Sequence, residues 1–173
     1  LPKTGNIRKQ PIEKVLVAEH IEAKCDTTDS EKNAAFLISA AEINLDEVML
    51  GEQAQQKSKM SDILAFGKMM VKDHRQLQDA LTSLARKKSI TLPTSPDKGA
   101  EAAYKKFNNA SGADFDIEYC GMMVNGHRKA IGEFENESLQ LSDPEIRQYA
   151  ANALPILRKH LDHSIAYQKK YQK

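Results

Sequence analysis

A nine-residue pattern occurs twice in this chain, as Phe66-Gly67-Lys68-Met69-Met70-Val71-Lys72-Asp73-His74 and as Tyr119-Cys120-Gly121-Met122-Met123-Val124-Asn125-Gly126-His127. An aromatic ring, two Met, a Val and a His keep their offsets in both copies. The second Met and the His lie four residues apart, which on a helix places them on one face, one turn apart. Imidazole suits zinc, copper and iron, and thioether sulfur suits copper, so the chemistry offered by this pairing is transition-metal binding.

Two further residues join the set. His160 sits on an apolar stripe, seven residues after Ala153 and seven before Tyr167. On an earlier stripe, formed by Phe36, Ala40, Ile43, Leu50 and Ala54, Glu47 interrupts the run with a carboxylate that burial penalises unless it is paired or bound to a cation. In antiparallel helices, residues equidistant from a turn lie side by side. Glu47 and His74 are 13 and 14 residues from a turn at position 60, and His127 and His160 are 16 and 17 from Asp143. All four are therefore expected at one level, where three imidazoles and one carboxylate would make a tetrahedral or open metal site.

A single core His is more often a hydrogen-bonded packing residue, and the competing expectation is a metal-free polar network. Met70 and Met123 are read as packing residues or neighbours of the ligands, and His163 as an auxiliary ligand or a half-exposed side chain. A di-iron centre in a helical bundle needs Glu-x-x-His on two helices. Val71, Val124 and Leu157 occupy the positions three before the core histidines, so zinc or copper is expected over iron. Asp73 is read as pointing off the core face into solvent, and His20 is given no role. No Ser or Cys nucleophile has a recognisable base and no Gly-rich phosphate loop is present, so the reading leans away from an enzyme.

Long helices must carry these residues. The first is expected over residues 30–58, capped by Asp29 or Ser30, and the second over 61–88 with Ser61 as N-cap. Pro93, Pro96, Gly99 and Gly112 then mark a long connection with room for a short helix over 98–108. A third helix over about 113–141 buries Cys120, Met123, Ile131, Phe134 and Leu141. Asp143 and Pro144 restart a fourth, which runs to about Tyr167 with a bend expected at Pro155. No stretch alternates as a strand does. The architecture predicted is all-α, a four-helix bundle of two helical hairpins joined by a long crossover over residues 30–173. Residues 1–29 form a short N-terminal extension, with a peripheral helix over 12–23.

At 173 residues the chain matches one domain. Its 25 Lys and Arg against 24 Asp and Glu give no net field for nucleic acid or anionic lipid. No window approaches the roughly 18 apolar residues of a transmembrane segment. Cys25 and Cys120 match no paired-ligand or redox spacing and are not expected to form a disulfide. The chain starts at Leu1 without a Met, so a targeting segment is expected to have been removed.

Four segments together resemble a known family. They are Glu47-Val48-x-Leu50-Gly51, Phe66-Gly67-x-x-Met70-Val71-x-Asp73-His74, Phe115-Asp116-x-x-Tyr119-x-x-x-Met123-Val124-x-x-His127 and Leu154-Pro155-x-Leu157-x-x-His160-Leu161. They are similar to the bacterial envelope proteins grouped as domain of unknown function 4142. The resemblance implies a ferritin-like four-helix fold and a periplasmic or surface-anchored location, and it leaves the activity open. The combined expectation is a cell-envelope, ferritin-like bundle that binds a transition metal for metal handling or stress protection. The alternative is a non-enzymatic structural or protein-interaction module. A protein partner or a homodimer fits either.

Overall fold

A computed structural model describes residues 12–172, with side chains from residue 28 onward. Its five helices are α1 (Ile12–Lys57), α2 (Ser61–Lys87), α3 (Lys98–Asn108), α4 (Gly112–Gln140) and α5 (Pro144–Tyr171), and there is no strand among the described residues. No helix among them is long and apolar enough to cross a membrane.

Two helix starts differ from the sequence expectation. α1 passes through Asp29 and Ser30 without a break, so the helix expected over 12–23 is its first part. Good capping residues permit a start without requiring one, and no Pro or Gly occurs between Ile12 and Gly51 to interrupt the helix. At α2 the N-cap is Met60 rather than Ser61, with no side-chain cap. The start of α5 is as expected: the Asp143 carboxylate accepts from the Glu145 and Ile146 amides, and Pro144 follows it. Lys88 pairs with both Asp143 and Glu145, which ties the end of α2 to the start of α5.

α1 and α2 run antiparallel, as Gly51 meets Gly67 near their link and Asn44 meets His74 and Gln78 farther from it. A Cβ on Gly51 would lie 2.9 Å from the Gly67 carbonyl oxygen, and one on Gly67 would lie 2.7 Å from that of Gly51. Only glycine allows the two backbones this close. α4 and α5 are likewise antiparallel, with Phe134 against Tyr149, Glu135 paired to Arg158, and His127 beside His160. α2 packs on α5, α1 on α4, and α3 on α1, where Gln53 donates to the Tyr104 carbonyl at 2.9 Å.

The apolar interior is divided. One cluster gathers Phe36, Leu37, Leu77, Leu81, Phe134, Ile146 and Leu157, and the other gathers Leu50, Ile63, Phe66, Met70, Phe115, Tyr119 and Met123. On α1, α2 and α4 a polar residue stands where one cluster gives way to the other: Asn44 and Glu47, His74, and His127. On α5, His160 follows Leu157. A polar layer therefore crosses the molecule at mid-height.

Candidate metal centre

Three of the four residues expected at this level come together. His74 on α2, His127 on α4 and His160 on α5 are 0, 1 and 0 % exposed. One ring nitrogen from each lies within 4.8 Å of the other two. The ring centroids are 6.0 Å apart for His74 and His127, 5.2 Å for His74 and His160, and 5.3 Å for His127 and His160.

Each imidazole is oriented by an acceptor on one of its nitrogens. His74 Nδ1 donates to Asn44 Oδ1 at 3.0 Å, His127 Nδ1 to the Met123 carbonyl at 2.9 Å, and His160 Nε2 to Asp73 Oδ2 at 3.0 Å. The Asn44 amide is itself fixed, because its Nδ2 donates to Gln78 Oε1 and to the Tyr149 hydroxyl, both at 3.2 Å. Tyr149 in turn donates to the Leu77 carbonyl at 3.3 Å. A neutral imidazole carries one proton, so these acceptors place it on the bonded nitrogen and leave a lone pair on the other. The remaining nitrogens, His74 Nε2, His127 Nε2 and His160 Nδ1, are buried without a hydrogen-bond partner.

Electrostatics keep the lone pairs free. Burial drives the His74 pKa well below the usual value, and the neighbouring His160 and His127 add to the effect. Burial also lowers His127 to about 4, against the opposing pull of the Met123 carbonyl, and His160 to about 4, against that of Asp73. All three are neutral at pH 7, the state in which imidazole binds a metal. At Asp73 burial raises the pKa, but the His160 hydrogen bond and Lys159 outweigh it and hold the carboxyl below its ordinary value. The Asp73–His160 contact is thus a hydrogen bond from a neutral ring to a carboxylate, not an ion pair. An acceptor behind each ring is the arrangement found around metal-binding histidines generally.

Glu47 lies at the same level, 8 % exposed, and is not part of the group of mutually close nitrogens. Its Oε1 is 3.9 Å from His127 Nδ1, the nitrogen already bonded to Met123, and its Oε2 has no partner. Burial pushes its pKa up to about 8, so Glu47 and His127 are both uncharged at pH 7. Met70 and Met123 are buried in the second apolar cluster, where Met123 serves the site through its carbonyl. His163 packs against Phe66 and stacks on Tyr167, with ring centroids 6.1 and 5.8 Å away. Cys120 is buried and its thiol is pushed up to about 12, so it stays protonated, while the side chains of His20 and Cys25 lie outside the described residues.

Asp73 corrects the sequence reading. Being next to His74, it is turned about 100° around α2 from the core axis, and that direction faces α5 rather than solvent. A carboxylate beside a core His was the available signal for it. Asn44 was also missed, although it is a second polar residue on the Ala40 to Glu47 face of α1.

No curated protein matches the sequence. Among solved structures the fold is similar to that of CopM in the Cu(II)-bound form, with a TM-score of 0.68 and 13 % identity over 80 % of this chain and 97 % of that one. That likeness is one of fold. The family model for the domain of unknown function DUF4142 matches residues 18–166, and the chain belongs to this family.

Proposed function

We propose that this protein is a ferritin-like four-helix bundle that binds a transition metal in its core, copper first and zinc second. The α1–α2 and α4–α5 pairs are its two hairpins, and the segment bearing α3 is the crossover. His74 Nε2, His127 Nε2 and His160 Nδ1 are the ligands. Glu47 is the fourth polar group of the set, uncharged in the metal-free protein at pH 7 and able to ionise when a cation is bound nearby. Metal handling or stress protection in the cell envelope is the role that follows.

One observation carries this reading: a nitrogen from each of three buried imidazoles lies within 4.8 Å of the other two, and every ring keeps one buried nitrogen without a partner while an acceptor holds the other. Each unpartnered buried nitrogen costs roughly 1–3 kcal/mol, and one cation would satisfy all three. A metal-free network would have to find them partners, and no protein group serves among the described residues. The Glu-x-x-His pairs of a di-iron centre are missing, which disfavours iron. CopM, of similar fold, is described as bound to Cu(II). The location rests on the family resemblance.

The test is elemental analysis of untagged protein followed by titration with Cu(II) and Zn(II). About one equivalent bound, with a rise in Tm, is expected. His127→Ala should abolish both.

A further inference from the structure

A cleft of about 390 Å³ opens between α1 and α4 beneath the start of α3. Five of its lining residues are acidic, Glu42, Asp46, Glu47, Asp97 and Glu133, against one cation, Lys129. The Met122 and Met123 side of α4 forms a wall. At the cleft's inner end stands Glu47, more than nine-tenths buried, with Oε2 unpartnered and Oε1 3.9 Å from the His127 ring. On the opposite side of the molecule, between α2 and α5, Asp73 bonds His160 and carries the Lys159 ammonium at 3.4 Å. That approach is filled and guarded by a cation.

We propose that this cleft is the loading route of the three-histidine centre, in which the acidic mouth captures a divalent cation and Glu47 relays it past the His127 ring to the centre. The inference rests on the metal-binding reading above. It adds a transit site, made of carboxylates, outside the imidazole site. A narrow opening lined by one sign of charge concentrates counter-ions and speeds their association. Carboxylates in the mouth bind a hydrated cation weakly enough to release it, whereas the three dry imidazoles retain it.

Two variants of the full chain separate route from site. Gly126 is exposed on α4, and a Cβ there would make an ordinary contact with Glu47 Oε1, at 3.6 Å. Gly126→Leu therefore extends into the cleft from an exposed position that holds no histidine, and it improves helix propensity. Asp46→Asn with Asp97→Asn removes charge from the mouth, and the new amide oxygen at position 46 still accepts the backbone N–H of residue 97. Cu(II) uptake is followed by quenching of tyrosine emission, since the chain has five Tyr and no Trp.

Both variants should load about tenfold or more slowly than the parent protein, with the same final stoichiometry, and loading of the charge variant should depend less on salt. Parent-like loading rates in both variants, with one equivalent still bound, would overturn the route and leave the histidine site standing. Absence of uptake by the parent protein would overturn the metal-binding reading itself, and the route with it.

Discussion

The nitrogen that His160 gives to Asp73 is the one it cannot offer to a cation, and the same division of labour holds in His74 and His127. Replacing an acceptor should therefore act on the ligand behind it. Asp73→Asn should weaken metal binding by roughly 10- to 100-fold while leaving the helices intact, as measured by competition with a chromogenic chelator and by circular dichroism. The same residues set the pH response of the metal-free protein. The unfolded chain protonates its histidines below about 6.5, whereas the folded one holds His127 and His160 down to about 4 and His74 lower than its usual value, so folded stability falls as pH drops through this window. Glu47 and Asp46 act in the opposite sense: burial raises them to about 8 and about 7, so their contribution falls as pH rises towards those values. Asp116 is raised by burial as well, so histidines and carboxyls oppose one another below pH 6.5, whereas above it the histidines have stopped titrating and Glu47 and Asp46 have not, which predicts that stability of the apo form falls from about pH 6.5 to pH 8 in urea titrations. The histidines were legible in the sequence because each repeats on an apolar stripe. Asp73 was not, because helical periodicity tells which face a residue occupies and not which neighbouring helix covers that face.

Among the elements, the closest constraint is the Gly51–Gly67 crossing of α1 and α2. Gly67→Ala gains helix propensity but sets a methyl 2.7 Å from a backbone oxygen that cannot move without displacing α1. Overpacking of this kind costs about 1–3 kcal/mol, so the variant should melt at a lower temperature than the parent. A Tm at or above the parent value would show that the helices separate freely there. The ends of α2, α3, α4 and α5 were readable to within a few residues, since Pro, Gly and the Asp143 cap act locally on the backbone. The start of α1 was not, because Asp29 and Ser30 are acceptable inside a helix as well as in front of one.

For the molecule as a whole, the polar layer separates two apolar clusters that could otherwise have been continuous. Counting from the turns placed Glu47, His74, His127 and His160 at one height, and the structure puts all four there. Rotation about the helix axes was beyond that count: it brings the three imidazoles within reach of one another and leaves Glu47 against the cleft. A metal bound at this layer joins α2, α4 and α5, so its effect on stability should be global, with one cooperative transition moving to higher temperature. The most direct measurement is Cu(II) and Zn(II) content after equilibration and gel filtration, made on the untagged parent protein and on His127→Ala side by side. The account predicts close to one equivalent in the parent protein, with a raised Tm, and neither in the variant. Metal far below one equivalent in the parent protein, with its Tm unchanged by either ion, would contradict it.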